Sequence, residues 1–201
     1  MKTYVFPFLF SLCIWLLGVS VSDVFGQSKP PKKNWEGYLI TLKGDTLKGT
    51  IRHKTGEEIK EKVNVKVNDT LKFSFKMAEI LEFTSGDEHY ITGFLEPETP
   101  RVPLRVLSQG RLFLLEYQTL LMNGGNQAIR YEIYAFNPKD SAYTLIRPIT
   151  WKKQLEGLMA DAPEMQSVMD KTKYKFEEIK LVFDQYNMMF RGREEEEQPK
   201  E

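Results

Sequence analysis

Two periods divide this chain. Between Tyr38 and Ile146 apolar side chains alternate with polar ones in short runs, the two-residue period of a strand. Beyond Ile149 they recur at the third and fourth positions, the period of a helix. In the first run Tyr38, Ile40 and Leu42 alternate with Leu39, Thr41 and Lys43, and Gly44-Asp45 follows as a two-residue turn. That turn predicts pairs Leu42–Leu47, Ile40–Gly49 and Tyr38–Ile51, with the apolar face on Tyr38, Ile40 and Leu42. A one-residue slip would reverse the faces.

The second hairpin has Val63, Val65 and Val67 on one strand and Leu71, Phe73 and Phe75 on the next. Only a three-residue loop, Asn68-Asp69-Thr70, pairs Val67 with Leu71, Val65 with Phe73 and Val63 with Phe75. Further strands are expected at Ile80–Phe83, His89–Leu95, Val102–Leu107, Leu112–Tyr117, Ile129–Phe136 and Tyr143–Ile146. Turn residues separate them at Ser85-Gly86-Asp87, Gln109-Gly110, Gly124-Gly125-Asn126 and Asn137-Pro138. Pro103 lacks an N–H and is expected at an edge or a bulge. Thr150 is expected to cap a helix whose stripe is Trp151, Leu155, Leu158 and Met159. Pro163 opens a second helix through Met165 and Met169. A third carries Phe176, Ile179, Phe183, Tyr186 and Phe190, with Gly192 just past its end. The plan is α+β: an antiparallel β-meander curled into a sandwich or partly open barrel, followed by two to three C-terminal helices.

The ends read differently. Lys2, an apolar run from Val5 to Val21 and the small residues Val24 and Gly26 form the three parts of a signal peptide over 1–26, leaving Gln27 as the new N-terminus. The run is short for a spanning helix and contains Pro7. No membrane span is therefore expected after cleavage, and the protein is placed in the periplasm or at the outer-membrane surface. Residues 27–35 form a Pro- and Lys-rich linker, 36–192 a single domain, and 193–201 a disordered acidic tail.

Composition narrows the functions. The 201 residues carry 28 basic and 28 acidic side chains, so no overall field favours a nucleic-acid partner. The single cysteine, Cys13, leaves with the signal peptide, and two histidines are too few for a zinc framework. Asp87, Glu88 and His89 are neighbours on a turn and strand, so their side chains diverge; His53 follows the first hairpin. Glu57, Glu58 and Glu61 sit in a Lys-rich loop and read as solvated. No phosphate loop or nucleophile elbow is present, and no catalytic residue, cofactor or metal site is assigned. Met188 and Met189 are adjacent on the last helix, so one should leave the core; they are the candidate partner-binding strip. Asp45-Thr46-Leu47, Asp69-Thr70-Leu71 and Asp140-Ser141-Ala142 share an Asp-[Ser/Thr]-apolar pattern, which also suits ordinary hairpin turns.

The opening run from Glu36 to Ile51, with Phe73-Ser74-Phe75, Ile80 to Phe83, Asp161-Ala162-Pro163-Glu164 and Tyr186-Asn187, resembles a family of secreted envelope proteins of the Bacteroidota. Ala162 stands where cysteine is often found in that family. The resemblance implies export, and it makes Thr46, Thr70 and Ser141 candidates for the O-glycosylation used on exported proteins of that group. It carries no catalytic residue. The expected function is that of a non-catalytic envelope module binding another envelope protein, a glycan or an outer-membrane component. Two alternatives stand beside it. One is a carrier of a small apolar ligand lined by Tyr90, Phe94, Phe113, Tyr131 and Tyr134. The other is an envelope hydrolase.

Overall fold

A computed structural model describes residues 35–52, 62–96, 99–123, 126–171 and 174–196. Ten antiparallel strands form one sheet: β1 Glu36–Thr41, β2 Thr46–Arg52, β3 Lys62–Lys66, β4 Lys72–Lys76, β5 Ile80–Ser85, β6 Glu88–Gly93, β7 Val102–Ser108, β8 Phe113–Asn123, β9 Asn126–Asn137 and β10 Ala142–Ile146. Three helices follow, α1 Trp151–Leu158, α2 Pro163–Lys171 and α3 Ile179–Glu196. The sheet order is β10-β9-β8-β7-β6-β5-β1-β2-β3-β4. This is the α+β plan expected, with the sheet curled and not closed.

The curl follows from chain length. β4 and β5 stand four strand spacings apart in that order, about 19 Å on a flat sheet. Only Met77–Glu79, a single 3-10 turn, connects them, and a link that short reaches at most about 14 Å. Strands β1–β5 must therefore roll up, and the Leu42 amide donates to the Glu79 carbonyl at 2.9 Å, pinning the link against the end of β1. Leu39, Ile51, Val63, Val65, Ile80 and Phe83 fill this first roll, and Met77 plugs it.

The second half curls toward the other face. Tyr143 on β10 is four strands from Gly93 on β6, yet a Cβ at Gly93 would lie 2.2 Å from the Tyr143 hydroxyl. Glycine is required there because the phenol crosses the mouth of the curl. Val102, Leu104 and Leu115 are buried within this second roll under Phe113, Phe136 and Tyr143. The helices cover its outside, where Leu114, Ala135 and Ile146 meet Trp151, Leu155, Met165, Ile179 and Phe183.

Several sequence expectations change. The first hairpin has the opposite register, pairing Leu39 with Leu47, Ile40 with Thr46 and Tyr38 with Lys48. Gly44 at φ +88 closes a three-residue loop in which the Thr41 amide donates to the Asp45 carbonyl at 2.9 Å. The odd shift turns Leu39, Leu47 and Ile51 into the roll and leaves Leu42 51 % exposed. The second hairpin pairs as expected, because Asn68 Oδ1 accepts from the Thr70 and Leu71 amides and shapes the three-residue loop. Pro103 lies in an interior strand opposite Thr92; it is tolerated because the β7–β8 ladder begins only at Arg105. A bulge does occur in β7, between Val106 and Ser108.

Thr150 occupies the cap position without capping. Its hydroxyl bonds the Gln154 side chain at 3.2 Å, and Gln154 in turn bonds the Arg147 amide and the Leu145 carbonyl. Helix α3 passes Gly192 and continues to Glu196, into the segment expected as an acidic tail. Trp35, assigned to the linker, already accepts a bond from the Ile51 amide. The signal peptide, the rest of the linker, His53, Glu57, Glu58, Glu61 and Gly124-Gly125 lie outside the described residues.

Candidate functional site

The second roll stays open along one side, and the open seam is a groove of about 510 Å³ between β5–β6 and the β9–β10 turn. Its floor is one cross-strand row, Phe113 opposite Phe136 opposite Tyr143. Phe113 meets Phe136 edge-on at 5.9 Å, and Phe136 stacks on Tyr143 at 4.5 Å. Such pairs hold the floor rigid beyond what burial alone provides. Ile91 and Gly93 extend it on β6, and Phe94 stands on the rim, 54 % exposed.

Polar groups line the walls. His89 shares its face of β6 with Ile91, and its Nε2 lies 3.4 Å from the Glu82 carboxylate without hydrogen-bond geometry. Glu82 also accepts from the Tyr38 hydroxyl at 3.0 Å; burial and that bond raise the Tyr38 phenol above its ordinary value. Arg101 lies 5.1 Å over the Phe94 ring and donates Nη1 to the Ile80 carbonyl at 3.2 Å. Burial raises the Tyr143 phenol, and the Arg101 charge pulls it part of the way back. Among the described residues Arg101 Nε is buried with no hydrogen-bond acceptor, and His89 Nε2, also buried, has the Glu82 carboxylate at ion-pair distance without hydrogen-bond geometry. Buried donors left unpaired cost free energy that a bound acceptor would return. Gln109 and Ser141 complete the rim, and Ser141 is held at φ 55.

Comparison with protein-family models, with curated proteins and with solved structures finds no match.

The five aromatics expected to line one cavity are dispersed. Phe94 and Phe113 reach the groove. Tyr134 packs within the second roll with its hydroxyl on Glu132, and burial together with that carboxylate pushes it up to about 12. Tyr90 faces the first roll, stacked on Phe83 at 4.8 Å, and Tyr131 is exposed on the outer part of the β8–β9 hairpin. Asp87, Glu88 and His89 diverge as strand geometry requires. Glu88 joins Arg105 at 3.7 Å on the opposite face, where Arg105 also bonds Glu116 at 2.8 Å. Among the described residues no three His, Cys, Asp or Glu side chains are grouped to hold a metal, and no helix is long and apolar enough to cross a membrane.

Met188 is 68 % exposed while Met189 packs against the helical core, the split their adjacency demands. Thr46, Thr70 and Ser141 are all exposed. Sequence reasoning missed Glu82, Arg101, Gln109, Phe136 and Tyr143 as groove residues. Gly93, interrupting an alternating strand, was the one signal of close approach.

The two closing motifs meet each other. The Tyr186 hydroxyl donates to Asp161 at 2.8 Å, and Arg111 grips the same carboxylate from the β7–β8 turn. Burial pulls Asp161 upward, but the bonds from Tyr186 and Arg111 outweigh it and hold the carboxyl below its usual range. Asn187 fills the same turn. Its Nδ2 donates to the Leu112 carbonyl at 2.9 Å and to Ser108 Oγ at 3.2 Å, and its Oδ1 accepts from the Leu112 amide at 3.1 Å. These residues latch α3 to the sheet.

Proposed function

We propose that this protein is a non-catalytic, exported cell-envelope module that binds another envelope component in the seam of its second roll. The observation that carries this reading is an apolar, aromatic floor flanked by the buried Arg101 Nε, which the described residues leave without an acceptor, and by His89 Nε2, 3.4 Å from Glu82. A ligand with a flat apolar body and carbonyl or carboxylate oxygens would satisfy both features. Export rests on the pattern of residues 1–26 and on the likeness of Glu36 to Ile51 to secreted Bacteroidota proteins.

The test uses the chain starting at Gln27 and envelope extract fractionated into glycan, peptide and lipid. Amide shifts confined to Gly93, Phe94 and Tyr143 on adding one fraction, and lost in Arg101→Ala and Phe94→Ala, are the expected result. Shifts that survive both substitutions would sink the assignment. The apolar-carrier reading predicts a stoichiometric lipid in the native mass spectrum; the packed interior around Leu104 and Leu115 argues against it. A hydrolase reading has one observation in its favour, that His89, Glu82 and Ser141 line the same groove. Labelling of Ser141 by a fluorophosphonate, abolished in His89→Gln, would establish it in place of the binding role. Intact and peptide masses of protein from its native envelope test the start at Gln27 and glycans on Thr46, Thr70 and Ser141.

A further inference from the structure

The outer surface of the first roll is strongly cationic. Strands β2, β3 and β4 contain six cations, Lys48, Arg52, Lys62, Lys66, Lys72 and Lys76, and no carboxylate. The chain as a whole is neutral. Register sets Thr50, Lys66 and Lys72 in one row, Arg52, Asn64 and Ser74 in the next, and Lys62 opposite Lys76 in a third. These positions alternate with the buried Ile51, Val63 and Val65, so all of them face outward.

Lys62–Lys76 and Lys66–Lys72 are like charges directly opposite one another, an arrangement that destabilises a sheet. Lysine on an exposed edge deters strand pairing, which accounts for Lys72 and Lys76 on the edge strand β4. It does not account for Arg52, Lys62 and Lys66 on interior strands. Among the described residues the carboxylates beside these strands lie at their margins: Glu36 beside Thr50, Asp69 on the hairpin tip, bonded to Lys66 at 2.6 Å, and Glu79, which accepts from the Lys76 amide at 2.7 Å. A shallow groove of about 360 Å³ runs among Thr50, Arg52, Asn64, Lys66, Lys72 and Ser74, with Val65 and Phe73 contributing apolar atoms to its lining.

We propose that this face docks a linear anionic polysaccharide. The rows recur about every 6.6 Å along the strands, so charges repeated along one polymer can meet successive rows. The neutral Thr50, Asn64 and Ser74 between the cations offer both donors and acceptors to sugar hydroxyls. A lipid surface would call for apolar anchors among the cations, and single-stranded nucleic acid for aromatic platforms. The outward positions of the three strands have neither, and the one aromatic ring at the groove, Phe73, belongs to the inward row paired with Val65 and offers no series of stacking platforms. This surface lies on different strands from the seam of the second roll, so each can fail without the other.

The probe is polygalacturonate, titrated against the chain starting at Gln27 at low and moderate salt. Binding should weaken as salt rises, and Arg52→Gln/Lys66→Gln/Lys72→Gln should lose about threefold in affinity per cation removed. The same variant should melt close to the wild type, because relief of the Lys66–Lys72 repulsion offsets loss of the exposed Lys66–Asp69 pair, so lost affinity cannot be blamed on unfolding. Lys139→Gln/Lys153→Gln, on exposed residues elsewhere, should bind as the wild type does. The proposal is overturned by absence of binding at low salt, or by a triple variant that binds unchanged. Equal or tighter binding to phosphatidylglycerol vesicles or to oligothymidylate would overturn it as well.

Discussion

Asn187→Ala removes a side chain that finishes the β7–β8 turn from outside it. Three hydrogen bonds go: two to the Leu112 backbone and one to Ser108 Oγ. Asn187 is 6 % exposed, so the Leu112 N–H and C=O lose their partner in a buried place. Each backbone group left unpaired there costs about 1–3 kcal/mol. A water entering the vacated space would recover part of this, and we expect a net loss of about 3 kcal/mol. The assay is urea unfolding with the wild-type slope retained, so that the midpoint shift reads stability alone.

A second substitution makes the reasoning specific. A Cβ at Gly110 would lie 2.6 Å from Asn187 Cγ, so Gly110→Ala must push the same side chain off its partners. With Asn187→Ala already in place the amide is gone and only the residue's Cβ stays close, 2.8 Å from the added methyl, so most of the displacement cost disappears. The double variant should therefore be more stable than the sum of the single losses implies, with a coupling of about 1–2 kcal/mol. A loss under about 1 kcal/mol for Asn187→Ala, or strict additivity of the pair, would refute the latch.

Arg105→Met should cost about 3 kcal/mol, because it strands Glu116, whose side chain is 10 % exposed, beside Glu88; thermal melts read it, and a neutral result would mean the network carries no net stability. Asp161 is held below its usual pKa, so its contribution is fully present above the unfolded carboxyl value and lost as pH falls through the lower folded one. Asp161→Asn should flatten the stability profile in that acid window and leave its slope near neutral pH unchanged; urea midpoints across acidic pH check this. Gly93→Ala should displace Tyr143 from the groove mouth, lower the melting temperature and disperse the Tyr143 ring resonances; retention of the wild-type ring shifts would show that the close approach is not required.

Local grammar was enough for much of the fold. Asn68-Asp69-Thr70 could close only one loop that kept Val63, Val65, Phe73 and Phe75 on one face, and that loop is present. The stripes Trp151–Leu155–Met159 and Ile179–Phe183–Tyr186–Phe190 named the helical core, since a 3.6-residue period leaves one face to bury. Period and turn chemistry act over a few residues, so the chain by itself determined the strands-then-helices plan, the second hairpin and the split between Met188 and Met189.

Tertiary structure decided the rest. In the first hairpin both parities offer apolar residues, Leu39 on one side and Tyr38, Ile40 and Leu42 on the other. Only rolling β1–β5 about a three-residue link selected Leu39 for the inside. The groove unites Glu82, His89, Arg101, Phe113 and Tyr143 from five separate stretches. Their convergence depends on which way a ten-stranded sheet curls, and no local period records that. The cation rows of β2–β4 were visible as lysines, but only the register set them opposite one another. Pairing across strands is a long-range choice, made by whichever curl buries the most apolar surface, and so it appears only in the folded chain.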